Sequence, residues 1–359
     1  MIKANNRHTI GALLGVGLAA LLIWGLDDKS QESRAKSQES RAESREYYHN
    51  EGKVFGTYYN IRYEASADLQ DSINAAFQAF DASLSLFNPH SILSAINDNR
   101  DTTTNAFFEA MWAEAEEVYT LSEGAFDITV APLVNYWGFG NTSRYRDTEK
   151  SINREIDSIR QFVGFDKVKL IGHHVYKSDP RVQIDGGAVA KGQACDVIAE
   201  LLHRNGCENY LVDIGGEVVA KGKSAKGEPW HIGITKPNIN NEGAQEELQE
   251  ILAVTNISMA TSGNYRNFYY DGDIRRSHTI DPHTGMPVQH SVLSATVVSS
   301  RCMRSDALAT ACMVLGEEGA LAMIERAGDA ACLLIVARGD SLVTVCSPNW
   351  KERINGLGD

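Results

Sequence analysis

Four short stretches of this sequence hold the residue types that do chemistry. In "RSDALATACMVLG", Arg304 to Gly316, Asp306 and Thr310 stand four residues apart in a run that otherwise reads as buried helix. Residues at i and i+4 share a helix face, so the carboxylate and the hydroxyl can converge on one point. An oxygen pair of this kind suits a hard cation such as Mg²⁺, which keeps coordination positions open for a substrate phosphate. A plainer arrangement stays open, in which Thr310 bonds back to the carbonyl of Asp306 and Asp306 caps the helix start.

The second stretch, "IDGGAVAKGQACD" from Ile184 to Asp196, reads as strand, double glycine, then helix. Glycines there let backbone N–H groups approach an anion at a helix N-terminus, and Lys191 adds charge in the first turn. It lacks the Walker spacing, and a simple tight turn is the alternative. The third, "SHTIDPHTGMPV" from Ser277 to Val288, has an Asp-Pro…Thr-Gly turn that accounts for Asp281, Pro282 and Gly285. His278 sits in a polar loop edge, where an imidazole can act as a general base. The fourth, "EGAFDITVAPLVNYWGFG" from Glu123 to Gly140, sets aromatics beside small residues and Asp127. It fits either a clamp for a planar ring or a core aromatic cluster.

The elements that must position these stretches are mixed. Apolar residues at helical spacing mark "LQDSINAAFQAFDASLSLF" and "NAFFEAMWAEAEEVYTLSEG", the second closing on Gly124. Short β-type runs follow: "KVKLI", "RVQID", "YLVDI", "WHIGIT", "VLSATVVSS", "CLLIVA" and "SLVTVC". Two helical stretches interrupt them, "KGQACDVIAELLHRNG" and the "SDALATACMVLGEEGALAMIERAG" pair broken at Gly316. The pattern is α+β, without regular βαβ alternation and without a G-x-G-x-x-G after a strand.

With 359 residues, 43% hydrophobic and 23% charged, the chain has material for a sizeable core. Its 34 basic and 47 acidic residues give a net charge of −13, which excludes nucleic acid as a natural partner and leaves any anionic ligand dependent on local help. The six cysteines form neither a C-x-x-C pair nor a Cys/His cluster, so most of them read as core thiols.

At the N-terminus, Lys3 and Arg7 precede the apolar run Thr9 to Leu26, and Asp27 and Asp28 follow it. A run of that length spans a bilayer as a helix, and the charge asymmetry sends the remainder across the inner membrane to the periplasmic side. Residues 1–28 are thus expected to be a transmembrane anchor, or a signal segment if cleaved. Residues 29–46, containing "SQESRAKSQESRAESRE", make a charged linker, and a single large domain is expected over 47–359.

Taken together the motifs resemble the ApbE family, the FAD:protein FMN transferases. The resemblance is carried in order by Gly56-Thr57-Tyr58, Ser85 to Asn97, Glu123 to Gly140, Asp185 to Asp196 and Leu211 to Gly216. It continues through Ala260 to Tyr265, His278 to Pro287 and Ser305 to Thr310, over roughly residues 50 to 346. It implies an ApbE-like (T-fold-like) α+β domain. It further implies a Mg²⁺ ion held by Asp306, Thr310 and the carbonyl of Ala190. FAD contacts would fall on Phe55, Phe87, Ala125, Phe126, Asp127, Gly187, Lys191, Gln193 and Ile280, and catalysis on His278 and Asp306.

The implied reaction is transfer of FMN from FAD to a Thr or Ser hydroxyl of an acceptor protein, releasing AMP. The implied acceptors are flavin-carrying subunits of membrane redox complexes of the NADH:quinone reductase type or related proteins. Two rivals stay open: an FAD pyrophosphatase, with water in place of the hydroxyl, and a non-catalytic exported flavin-binding protein. Phe55 stands where the family usually has methionine, Phe87 where tyrosine is common, and Gly186-Gly187 where an apolar-Gly pair is usual. The lipid-attachment cysteine of many exported members is absent.

Overall fold

The computed structural model describes residues 45–140, 149–237, 247–264, 268–271 and 274–356. The expected anchor and nearly all of the expected linker lie outside them. In chain order the elements begin with strands β1 (Glu46–Val54) and β2 (Thr57–Ala65). Helices α1 (Gln70–Leu84), α2 (Ile92–Asn97), α3 (Ala106–Leu121), α4 (Ala131–Tyr136) and α5 (Glu149–Arg160) follow. After a 3₁₀ turn come β3 (Val168–Ile171), β4 (His174–Lys177) and α6 (Gly187–Arg204). Next are β5 (Tyr210–Ile214), β6 (Glu217–Lys221), β7 (Trp230–Thr235), β8 (Leu248–Val254) and β9 (Ile257–Gly263). The chain closes with β10 (Phe268–Asp271), β11 (Ile274–Ser277), β12 (Val292–Ser299), α7 (Cys302–Ala327), β13 (Ala331–Arg338), β14 (Ser341–Cys346) and α8 (Trp350–Gly356).

Eight strands form one sheet in the order β1-β2-β5-β6-β9-β12-β13-β14, every neighbouring pair antiparallel. Side chains alternate across it. Cys332, Leu334 and Val336 of β13 join the core beneath α1, α3, α6 and α7, while Ala331, Leu333 and Ile335 face the β7–β8 hairpin and Trp350 of α8. The central strands, covered on both faces, are buried, β12 along its whole length, while the edge strands β1 and β14 are largely exposed. A third cluster, with Leu133, Trp137, Ile156 and Ile280, packs beside these two. Residues 46–359 make one compact unit.

The run "RVQID" departs from its expected strand. Arg181 to Asp185 has no ladder, because a side chain takes a strand's place: Asn97 donates Nδ2 to the Ile184 carbonyl and accepts its N–H, both at 2.8 Å. The next N–H, of Asp185, goes to the Ile128 carbonyl at 2.6 Å. β1 and β2, absent from the expected strands, are joined by Phe55 and Gly56, both at positive φ (51° and 74°) as a two-residue hairpin turn requires.

α7 is long and apolar enough to cross a membrane by length and composition, but it packs against α6 and the sheet as a core helix. Its break falls at Gly316, with φ 72° and ψ −172°. The kink costs the helix a hydrogen bond, and His290 Nε2 lies 2.7 Å from the Met313 carbonyl in compensation.

Candidate functional site

α6 and α7 cross at Gly192, where a Cβ would lie 2.4 Å from the Cys302 carbonyl oxygen and 2.8 Å from Asp306 Cβ. Only glycine admits this approach. It lets the Gly192 N–H donate to Asp306 Oδ2 at 3.0 Å, which fixes a carboxylate only 2% exposed. One turn further along α6, Asp196 accepts the N–H groups of Cys302 and Met303, both at 2.9 Å, and so caps α7 from a neighbouring helix. Burial pushes the Asp196 carboxyl up to about 6, against those two hydrogen bonds. Arg301 and Arg304 pair with Glu114 of α3 at 2.5 and 3.2 Å, anchoring the same helix end.

This helix pair forms one wall of a cavity of about 750 Å³. Gly187, Lys191, Asp306, Thr310 and Met313 line it from α6 and α7. Facing them are the β5–β6 turn with Asp213 and Glu217, the end of β9, and His231 to Thr235 of β7. Ala125 to Asp127, Phe139, His278 and Ile280 close the remaining side. The cavity therefore sits where the three apolar clusters meet.

Among the described residues lining it, Lys191 is the one Lys or Arg, set among the carboxyl groups of Asp127, Asp185, Asp213, Glu217 and Asp306. Its Nζ lies 2.5 Å from Glu217 Oε1 and 3.8 Å from Asp306 Oδ1. Burial works against the ammonium, but Asp306 and Glu217 outweigh it and its pKa is raised, so Lys191 stays charged. Burial pushes the Glu217 carboxyl up against the pull of Lys191. Thr310 Oγ1 is 3.1 Å from Ser262 Oγ, so the hydroxyl is engaged across the helix–sheet seam by a neighbouring side chain. Asp127 is buried and spent locally, accepting from the Thr129 N–H (2.7 Å), its hydroxyl (2.6 Å) and the Phe165 N–H (3.1 Å). Burial raises its pKa against those bonds.

A resident Mg²⁺ fits these donors. Asp306 Oδ2 is held by Gly192, Oδ1 meets among the described residues only the distant Lys191 ammonium, and Thr310 adds a hydroxyl one turn on. Among the described residues no group of three His, Cys, Asp or Glu side chains forms a metal cage. One carboxylate with a hydroxyl is the donor set of a cation that completes its shell with substrate oxygens and water.

Of the expected site residues, Ala125, Phe126, Asp127, Gly187, Lys191, His278, Ile280, Asp306 and Thr310 come together around this cavity. His278 stands edge-on to Phe139, ring centres 6.2 Å apart. Four others lie off its walls. Phe55 packs against Phe77 and Phe80 of α1, at 5.7 and 5.4 Å. Gln193 donates to the Phe107 carbonyl at 2.8 Å, on the side of α6 facing α3. Ala190 packs against the core in the first turn of α6, its N–H donating to the Gly186 carbonyl. Phe87 is 82% exposed and lines a smaller cavity of about 380 Å³, which shares Asp185 with the large one.

The ApbE family model matches residues 55–334. The chain belongs to the ApbE family. A Vibrio cholerae serotype O1 protein named FAD:protein FMN transferase is 36% identical over 84% of this chain and 91% of its own. One of the same name from Haemophilus influenzae is 37% identical over 84% and 90%. The solved structure of the flavin transferase ApbE from Vibrio cholerae superposes with a TM-score of 0.77 at 35% identity, covering 86% of this chain and 100% of that one. The ApbE motifs thus converge here from distant parts of the chain.

Glu217 escaped the motif reading, which stopped at Gly216. Its signal was a lone carboxylate opening the otherwise apolar strand "EVVA" after a double glycine. Gly192 and Asp196 lay inside a recognised motif, but their roles are contacts with Cys302, Met303 and Asp306, more than a hundred positions away.

Proposed function

We propose that this protein transfers FMN from FAD to a Thr or Ser hydroxyl of an acceptor protein, with Mg²⁺, and releases AMP. The observation that carries this is the meeting of Lys191, Asp306, Thr310 and His278 on one cavity within the size range of cofactor sites, about 300–1,000 Å³. A chain of net charge −13 repels the FAD pyrophosphate at long range. Lys191 supplies positive charge within the site, and Asp306 with Thr310 would hold a cation that would supply more. Bound there, Mg²⁺ would supply neutralisation of the negative charge on the phosphoryl oxygens.

The acceptor oxygen attacks the FMN-side phosphorus, forming one P–O bond as the P–O bond to AMP breaks. His278 takes the hydroxyl proton. Gly187 at the N-terminus of α6 lets backbone approach the phosphates, and Phe126, Phe139 and Ile280 offer apolar surface to the flavin rings. Mutual positioning of these groups accounts for most of the catalysis, because phosphoryl transfer asks little covalent chemistry of the protein.

The acceptors are flavin-carrying subunits of membrane redox complexes. The enzyme works on the periplasmic side of the inner membrane, held by its N-terminal apolar segment, a reading supported by the Lys3/Arg7 and Asp27/Asp28 flanks. Protease added to spheroplasts digests the catalytic domain if this orientation is right, and protection from it reverses the topology.

The test of the reaction is incubation of the protein with FAD, Mg²⁺ and a candidate acceptor, followed by mass spectrometry of the acceptor and assay of AMP. An acceptor heavier by one FMN with matching AMP is expected. Free FMN with an unmodified acceptor gives the hydrolase reading instead.

A further inference from the structure

We infer that Glu217 is a positioning residue that holds the Lys191 ammonium off Asp306 and so keeps that carboxylate open to a divalent cation. This rests on the proposed cation site at Asp306 and Thr310. Asp306 has one oxygen committed, Oδ2, to the Gly192 N–H. The other, Oδ1, is the oxygen the cation needs, and Lys191 Nζ stands 3.8 Å from it, beyond hydrogen-bond distance. What stops the ammonium closing that gap is Glu217 Oε1 at 2.5 Å.

Glu217 is built into place. It follows Gly215 and Gly216, at φ 67° and 103°, a turn fixed by the Gly216 N–H donating to Asp213 Oδ1 at 3.0 Å. Its side chain is 3% exposed, and its second oxygen, Oε2, is buried with no hydrogen-bond partner. A buried carboxylate left half satisfied is costly, and a strand that continues with Val218, Val219 and Ala220 takes an apolar residue at this position without that cost. Glu217 instead gives Lys191 a second anchor. With a cation on Asp306, the lysine stays beside Glu217 and faces the substrate phosphates; without Glu217, Asp306 is its nearest carboxylate and the ammonium competes for Oδ1.

The test measures Mn²⁺ alone binding to the full-length protein, by the electron paramagnetic resonance signal of free Mn²⁺. Glu217→Met, which removes charge and acceptor at similar length, is expected to bind about tenfold more weakly than wild type, the Coulomb difference between 3.8 Å and contact at a partly buried site. Lys191→Met binds at least as tightly as wild type. The double variant returns to within about twofold of Lys191→Met, because the competitor is gone. Glu217→Met binding like wild type overturns the inference, as does a double variant as weak as Glu217→Met, which makes the effect one of Glu217's own charge or of the fold. If Glu217→Met does not fold, weaker binding by Lys191→Met than by wild type overturns it alone. Wild-type binding that Asp306→Ala leaves unchanged overturns the cation site itself, a result distinct from the others.

Discussion

The two helices that form the catalytic wall begin differently. The N-terminus of α7 is closed from within: its first two N–H groups go to the buried carboxylate of Asp196. The N-terminus of α6 opens on the cavity: Gly186 at its cap position has no side chain, and Asp185, which itself lines the cavity, accepts the Gly187 N–H at 2.7 Å. Both ends carry the same partial positive charge. At α7 the protein neutralises it, which makes that helix a fixed platform for Asp306 and Thr310. At α6 a single N–H, that of Gly187, is taken by Asp185 on the cavity wall, and Lys191 one turn in adds positive charge facing the cavity. Both helix ends thus receive a carboxylate, but only that of α6 faces the cavity.

The largest effect should come from the platform's functional face. Asp306→Ala is expected to lose Mg²⁺-dependent transfer by on the order of 10²–10³-fold, measured as acceptor flavinylation, while its thermal melt stays cooperative. Full activity with a chelator present in this variant would break the assignment of α7 as the cation platform.

His278→Ala separates binding from chemistry on the facing side of the cavity. FAD binding, followed by flavin fluorescence, should persist, and transfer should slow by about a hundredfold, the lower range for loss of a general base. Transfer at the wild-type rate would leave positioning by α6 and α7 as the whole source of catalysis.

Gly192→Ala acts on the seam between the helices. The added methyl meets backbone at 2.4 Å, which cannot move aside as a flexible side chain can. A loss of about 1–3 kcal/mol in denaturant unfolding is expected, with weakened cation binding because Asp306 loses its fixed donor. An unchanged stability would mean that the two helices are not locked together at this point.

Asp196 gives the smallest and most specific signal. The folded carboxyl holds its proton up to about pH 6, whereas the unfolded chain releases it near 3.8. The folded state therefore binds more protons between those values, and this group's contribution to stability falls as pH rises from about 4 to 6, by roughly 1–3 kcal/mol. Asp196→Asn, which cannot ionise, should flatten that stretch of the stability–pH curve. A slope identical to wild type would show that Asp196 is not the buried cap of α7.

The same contrast shows what the sequence made legible. Asp306 and Thr310 were readable because one helical period holds them together, and the glycine turn before Lys191 because it is local. The break at Gly316 was readable for the same reason. Nothing local announced that Arg181 to Asp185 would be paired by the Asn97 side chain and not by a strand, since that bond spans 87 positions. Glu217 and Gly192 are likewise defined by partners far along the chain. Phe87 carries the aromatic type its motif suggests, yet it stands in solvent beside the smaller cavity, a placement that depends on how α2 and the Ile184 segment pack.

Anomalous diffraction from crystals of the protein grown with Mn²⁺ tests the central claim most directly. The account predicts a peak within about 2.0–2.3 Å of an Asp306 carboxylate oxygen and of Thr310 Oγ1, with Lys191 still beside Glu217. A peak bound elsewhere in the cavity, with Asp306 still paired only to Gly192 and Lys191, would contradict it.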